Sequence, residues 1–124
     1  MEIYKFQSLE VYQMALAYTK SIYSLSIKLP DRERFNLISQ IERVATSVVL
    51  NIAEGSTGQT NPEQKRFLGL AIRSYLETIA CLDLIEQFKY LPISETGPIR
   101  EQGHQLFIKL NTFRRHFDER GSAT

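Results

Sequence analysis

Apolar residues recur every three or four positions along four separate segments of the chain, which is the spacing of amphipathic helices. The first predicted helix has Ser8 as its N-cap and runs from Leu9 to about Leu29. The second begins at about Arg32, after the break at Pro30, and ends at Glu54. Gly55 follows it and is predicted to occupy the left-handed position that commonly ends a helix.

The third predicted helix has Asn61 as its cap and extends from Pro62 to about Lys89. Ser94 or Gly97 is expected to cap the fourth helix, whose apolar residues follow a repeat of four and three positions. The members of that apolar seam are Ile99, Gly103, Leu106, Leu110, Phe113 and Phe117.

No segment shows the alternation of apolar and polar residues that is typical of a β-strand. Four long helices with short connections predict an all-α fold, specifically an antiparallel, up-down-up-down four-helix bundle. We expect one domain over residues 1–117, a mobile polar connection at residues 56–60 and a flexible tail at residues 118–124.

The third helix is apolar on nearly all sides. Besides its two main apolar rows, a shorter row of Leu76, Ala80 and Leu84 lies nearly opposite. A helix that is apolar all round is normally buried on several sides, and a bundle of this size offers few such places. We therefore predict self-association, with this row as the oligomer contact.

A row of hydrogen-bonding side chains runs beside the apolar face of the second helix. Its members, with two partners expected on the third helix, are Gln40, Arg43, Ser47, Asn51, Glu54, Ser74 and Glu77. Such side chains have fixed hydrogen-bonding geometry, so several are expected to be buried and paired. One interpretation is a structural network that fixes helix register, with Asn51 bonded to a neighbouring helix or loop. The other is a polar site that lines an oligomer pore or groove.

Composition adds few constraints on function. The 124 residues carry a formal net charge of +1, so the overall charge indicates neither a nucleic-acid nor a membrane partner. Cys81 is the single cysteine and is expected to be a buried thiol. The chain has no apolar segment long enough for a signal peptide or a membrane span, and we expect a cytoplasmic protein.

The sequence gives little indication of catalysis. His104 and His116 lie about 120° apart around the fourth helix and cannot form an adjacent metal-binding pair. Ser74 and Glu77 have no histidine or lysine base at helical spacing. Gly55 and Gly58 are not followed by the lysine of a phosphate loop. We expect a non-enzymatic protein with no metal and no cofactor.

Basic residues cluster on the third and fourth helices, and two interpretations remain open. The candidates are Lys65, Arg66, Arg73, Lys109, Arg114 and Arg115. Repeated by symmetry around an oligomer, they would contact the phosphates of RNA or DNA in a salt-sensitive, sequence-tolerant way. Alternatively they form an ordinary solvated surface, interleaved with Glu63 and Asp118.

The chain resembles the 23S rRNA intervening-sequence proteins. The resemblance rests on FQSLEVYQMA at Phe6–Ala15, on the segment LPDRERFNLISQIERVATSVVLNIAEGS at Leu29–Ser56 and on RFLGLAIRSYLET at Arg66–Thr78. The run NIAEG at Asn51–Gly55, following QIxR at Gln40–Arg43, is its most specific part.

The resemblance implies that Arg43 and Glu77 are positions shared with the family, for which no enzymatic activity is established. The family is similar to the accessory protein of diversity-generating retroelements, a homopentamer of four-helix bundles that binds nucleic acid through a basic surface. A homopentamer is therefore expected here, although this chain is nearly neutral. The first functional hypothesis is a module that binds structured nucleic acid, such as ribosomal RNA, and the alternative is a scaffold for a protein partner.

Overall fold

The structure of the protein, a computed structural model, describes residues 4–57 and 60–122; of residues 119–122 only the backbone is considered. It contains four long helices: α1 (Glu10–Ser26), α2 (Ser39–Gly55), α3 (Asn61–Gln87) and α4 (Ile93–Ser122). No strand occurs in these two ranges, so the all-α prediction is confirmed. Part of the predicted mobile connection, positions 58 and 59, lies outside the described residues.

Each helix packs against its neighbours in the chain, and α1 also packs against α4. Along every packed pair, residue numbers rise on one helix as they fall on the other, so neighbouring helices are antiparallel. The cross-helix pairs are Thr19–Ala45 and Ser26–Glu42 for α1 and α2, Ser47–Ser74 and Gly55–Phe67 for α2 and α3, and Asp83–Arg100 and Lys65–Asp118 for α3 and α4. For α1 and α4 they are Glu10–Lys109 and, just beyond the end of α1, Lys28–Glu95. The predicted bundle is therefore the observed architecture.

The core lies along the axis of the bundle and draws side chains from all four helices. Its largest fully buried members are Tyr18, Ile22, Ile41, Val48, Ile52, Leu68, Leu82, Ile85, Leu106 and Leu110, together with the polar residues Thr78 and Thr96. Removal of this apolar surface from water is the main driving force for packing the four helices. Two buried tyrosine rings, Tyr18 and Tyr75, pack with their centroids 5.6 Å apart.

Gly103 on α4 faces those two rings directly. A Cβ atom at this position would lie 2.8 Å from Cε1 of Tyr18 and equally close to Cε1 of Tyr75. Carbon atoms pack at about 3.5–4.0 Å. Glycine is thus the residue that lets α4 approach the rings, and its place in the predicted apolar seam is explained by contact with aromatic side chains.

Two predicted helix caps are wrong by one residue. Leu9, rather than Ser8, occupies the cap position of α1, because residues Lys5–Ser8 form a 3-10 turn and the Ser8 hydroxyl donates to the Lys5 carbonyl. Thr60, rather than Asn61, caps α3 by accepting a hydrogen bond from the Glu63 amide at 3.4 Å.

The prediction that Gly55 ends α2 in a left-handed conformation is wrong. Gly55 is helical, buried and in contact with α3. A Cβ atom added to it would lie 2.9 Å from Cβ of Phe67. The glycine is present because α2 and α3 approach closely here, which a helix-end signal in the sequence does not distinguish.

The regular part of α2 begins seven residues later than predicted. Asp31–Glu33 form a 3-10 turn and Arg34–Ile38 form a π-helical turn ahead of Ser39. The cause is Glu33, whose side chain turns inward and accepts a hydrogen bond from the Leu37 amide at 3.4 Å. This side-chain bond interrupts the regular pattern of backbone bonds. Wide turns of this kind occur frequently at functional sites.

The connection between α3 and α4 is a tight reversal. Lys89 has a φ of 59°, and the Lys89 and Tyr90 amides donate to the carbonyls of Glu86 and Ile85, which is the Schellman pattern of helix termination. α4 begins at Ile93, so the expected caps Ser94 and Gly97 lie inside it. Its helical backbone continues to Ser122, past residue 118 where a flexible tail is expected; the flexibility of that tail stays a prediction.

Candidate functional site

The structure brings together the central part of the predicted polar row. Ser74 on α3 donates its hydroxyl to the Ser47 hydroxyl on α2 at 2.9 Å. Contrary to the prediction, Asn51 does not bond to a neighbouring helix or loop within the described residues; it donates to the carbonyl and hydroxyl of Ser47 on its own helix, at 2.9 and 3.0 Å. These three side chains lie partly buried between α2 and α3, where the bond from Ser74 to Ser47 joins the two helices and favours one register.

The long charged side chains of the predicted network do not join this cluster. Arg43 is exposed and donates to Gln40 on its own helix. Glu54 and Glu77 are also exposed, and among the described residues neither side chain forms a hydrogen bond or an ion pair. The expected pairing of Arg43 with Glu77 is not formed in this chain, because both side chains extend from the bundle into solvent, where hydration competes with pairing.

Acidic neighbours face half of the predicted basic candidates. Lys65 forms an ion pair with Asp118, Arg66 with Glu63 at 3.2 Å and Lys109 with Glu10 at 3.2 Å. Exposed pairs of this kind add little stability, but they reduce the local positive charge.

The other three basic candidates differ in how freely they can reach a ligand. Arg114 crosses to α3, where its Nε donates to the Lys65 carbonyl at 3.3 Å and its guanidinium lies over Gly69. Arg115 donates to Thr112 on its own helix at 3.3 Å. Arg73 is exposed and forms no ion pair with any described residue. Arg73 and Arg115 are therefore the members best placed for phosphate contacts.

The predicted oligomer contact is an exposed row on the outer face of α3. Leu76 and Leu84 are 49% and 44% exposed, and Ala80 between them is also exposed. Single exposed leucines are common on protein surfaces, but two on one helix face, separated by an alanine, form a continuous apolar strip.

One polar cluster of the structure was not found from the sequence. It lies at the end of the bundle where α1 and α3 end. Glu33 accepts hydrogen bonds from the Tyr90 hydroxyl at 2.7 Å and from the Asn36 amide at 3.1 Å. The Tyr90 bond holds the pKa of the Glu33 carboxyl below its usual value. Arg32 lies over the Tyr90 ring, 5.6 Å from its centroid.

A second ionic cluster ties α3 to α4 near the same end. Arg100 donates to Glu86 at 2.9 Å and to Asp83 at 2.7 Å, and Thr96 donates to Glu86 at 2.6 Å. These bonds, with that of Arg100 first, lower the pKa of Glu86. The only sequence signal for either cluster was a run of alternating charges at residues 31–34, which by itself indicates a solvated turn.

Cys81 is buried, whereas both histidines of the chain are exposed. Burial raises the pKa of the Cys81 thiol, and the nearby Glu77 raises it further, so the reactive thiolate is disfavoured. His104 and His116 are exposed. Within residues 4–57 and 60–118, no three His, Cys, Asp or Glu side chains are grouped as metal ligands would be. None of the described helices combines the length and apolar composition needed to cross a bilayer.

Comparison with known proteins gives a family and a fold. Residues 7–112 match the family model described as 23S rRNA-intervening sequence protein. A solved structure from Bacteroides thetaiotaomicron, described as a protein with unknown function from the S23 ribosomal protein family, is similar with a TM-score of 0.78 and 23% sequence identity. The similarity covers 85% of this chain and 95% of that chain, and at this identity it supports the fold alone. No curated protein matches the sequence.

Proposed function

Since the chain belongs to the 23S rRNA-intervening sequence protein family, we propose that it is a non-enzymatic, cytoplasmic bundle that self-associates and binds structured RNA or DNA. In this proposal, the exposed strip of α3 meets neighbouring copies in a homopentamer. Basic side chains, repeated by the symmetry of the assembly, contact phosphates on its surface.

The exposed apolar strip on α3 is the observation that carries this proposal. Leu76, Ala80 and Leu84 occupy successive turns of one outer helix face, and Leu76 and Leu84 are 49% and 44% exposed to solvent. Burying them between copies would remove apolar surface from water, at about 25 cal/mol per Å². Arg73 lies on the same face of α3, so assembly would bring several copies of this arginine close together.

Self-association is tested by measuring the solution mass with light scattering. We expect a mass of several subunits for the wild-type protein and a monomer for Leu84→Glu, because a carboxylate in the interface would lose its hydration. Leu50→Glu, at another exposed leucine on α2, is the matched control and should keep the wild-type mass. A monomeric wild-type protein would refute the assembly.

Nucleic-acid binding is tested by titrating labelled ribosomal RNA fragments at several salt concentrations. Each phosphate contact releases bound counterions, so the affinity should fall steeply as salt is added. Arg73→Gln and Arg115→Gln should weaken binding and flatten this salt dependence without changing the oligomer mass. Unchanged binding by both variants would remove these arginines from the nucleic-acid surface.

A protein scaffold is the second candidate, and the ion pairs of the basic residues favour it. Lys65, Arg66 and Lys109 each face a carboxylate, so much of the predicted basic surface is neutralised within the chain. A packed protein interface would bind with little salt dependence. Assembly without RNA binding in the titration above would support the scaffold over the nucleic-acid module.

A further inference from the structure

An exposed aromatic ring with basic neighbours lies at the end of the bundle near the Glu33–Tyr90 bond. Phe35 projects from the π-helical turn and is 91% exposed. Phe88, at the end of α3, is 53% exposed and packs edge-on against Tyr90, with ring centroids 5.7 Å apart. Because Tyr90 bonds to Glu33, the turn that carries Phe35 and the end of α3 are held side by side.

Around these rings, the charged side chains that are not engaged in an ion pair or a hydrogen bond are mostly positive. Among the described residues, neither Arg34 nor Lys89 forms an ion pair, while Arg32 lies over the Tyr90 ring and interacts electrostatically with the Glu33 carboxylate. Glu33 turns inward, with its carboxylate engaged by three hydrogen bonds. Asp31 is the one exposed acid of the turn that precedes α2. This end differs from the surface of Lys65 and Lys109, where acids face the basic groups.

From this geometry we propose that the aromatic-basic end, defined by Arg32, Arg34, Phe35, Phe88 and Lys89, binds unpaired bases of a nucleic acid and the phosphates beside them. Bases would stack on the Phe35 and Phe88 rings, while the cationic groups contact the backbone. The inference rests on the proposed nucleic-acid function. It adds the location of the binding site and the single-stranded form of the nucleic acid that the site binds.

The fixed backbone makes this end suitable for stacking. Phe35 lies in a turn that Glu33 holds by accepting from Leu37, and Phe88 lies in a helix terminus closed by backbone bonds to Glu86 and Ile85. Rings held on fixed backbone lose little conformational freedom when a base stacks on them. Duplex nucleic acid would bind less well, because its bases are already stacked and paired.

The test is the change in fluorescence anisotropy of labelled oligonucleotides of about 12 nucleotides, a length within the usual range for single-strand sites. Single-stranded RNA, single-stranded DNA of the same sequence and the corresponding RNA duplex are each titrated with the full chain. We expect tighter binding of the single strands than of the duplex. The comparison of RNA with DNA shows whether ribose hydroxyls contribute.

Two variants and two matched controls locate the site. Phe35→Ala should weaken single-strand binding by about tenfold or more, as expected for the loss of a stacked base. Arg34→Gln should weaken it and flatten its salt dependence by about 0.7 in the log–log slope. Leu50→Ala and Lys20→Gln, which change an exposed apolar and an exposed basic residue elsewhere, should leave binding unchanged.

The possible failures are distinguishable. If the wild-type protein binds RNA and both Phe35→Ala and Arg34→Gln bind equally well, the aromatic-basic end is not the site, while the proposed function stands. If no nucleic acid binds, the nucleic-acid function fails and this inference fails with it. Binding to phosphatidylserine vesicles that depends on Phe35, in the absence of RNA binding, would assign this end to a lipid surface and overturn the proposal.

Discussion

Tyr18 on α1 donates its hydroxyl proton to Thr78 on α3, diagonally across the centre of the bundle. The two oxygens are 2.7 Å apart and both residues are fully buried. The direction follows from Thr78, whose own hydroxyl donates to the Tyr75 carbonyl at 2.6 Å and so has no second proton to give. α1 and α3 are not neighbours in the bundle, and this bond joins them through the core.

The donor direction predicts unequal costs for removing the two hydroxyls. Tyr18→Phe leaves Thr78 still bonded to the Tyr75 carbonyl, and it should lower the free energy of unfolding by about 1 kcal/mol. Thr78→Val leaves the buried Tyr18 hydroxyl without an acceptor, and it should cost about 1–3 kcal/mol. Urea unfolding of the two variants measures the difference.

The double variant provides the control for this asymmetry. With both hydroxyls absent, no buried donor lacks a partner, so the combined loss should be smaller than the sum of the single losses. Strictly additive losses, or a larger cost for Tyr18→Phe, would contradict the assigned direction of the bond.

Because the Tyr18 hydroxyl is buried, we also expect the protein to lose stability at alkaline pH. Burial raises the pKa of Tyr18 well above its usual value of about 10, and burial likewise raises that of Tyr75. Above about pH 10, the unfolded chain releases these protons while the folded chain retains them, so stability present below that pH declines as the pH rises. Urea unfolding at pH 9 and 11 should show a smaller decline in the free energy of unfolding for Tyr18→Phe than for the wild-type protein. Tyr23→Phe, at an exposed ring, is the control and should show the wild-type decline.

Gly55→Ala should destabilise the fold by about 1–3 kcal/mol, because its Cβ atom would meet Cβ of Phe67 at 2.9 Å. A thermal or urea melt measures the loss. Phe67→Ala should not rescue the variant, because alanine retains the contacting Cβ atom. Restoration of stability by that second change would show that the ring, rather than the backbone approach, sets the limit.

Gly69→Ala is the matched control for this prediction. Gly69 also lies in a helix, but a Cβ atom there would first meet the guanidinium of Arg114 at 3.3 Å, which is the end of a flexible side chain. We expect no loss, or a gain of up to about 1 kcal/mol from the higher helix propensity of alanine.

Arg43→Ala and Glu77→Ala should each change the unfolding free energy by less than about 0.5 kcal/mol, because both side chains are exposed and do not pair with each other. Ser74→Ala, which removes the hydroxyl bonded to Ser47, should cost more, about 1 kcal/mol. A loss for Arg43→Ala that grows with protein concentration would place this arginine in a contact between copies.

The helices were predictable because helical periodicity is a local property, whereas their ends depend on distant partners. The irregular start of α2 follows from Glu33, whose partner Tyr90 lies 57 residues away. Gly55 has the same sequence signature as a helix end, and only its closeness to Phe67 shows that it is a packing glycine.

In the polar row, the length of each side chain decides whether helical spacing determines its contacts. Ser47, Asn51 and Ser74 cannot reach past the contact between α2 and α3, so helical spacing alone brings them together. Arg43 is long enough to reach water, and spacing does not determine where its charged group lies. Phe35 was missed because a phenylalanine in an apolar pattern is normally buried, and its exposure depends on the π-helical turn.

The close contact of Gly103 with Tyr18 and Tyr75 determines how α4 can slide along its neighbours. An apolar seam that repeats every three or four residues fits nearly as well after a shift of one helical turn, so apolar packing alone permits several alignments. Such a shift would bring Ile99 or Phe107 against rings that leave no space for even one methyl group. The absence of a side chain at Gly103 therefore excludes the shifted alignments. One alignment of α4 remains, and a wide energy gap separates it from the competing alignments above it.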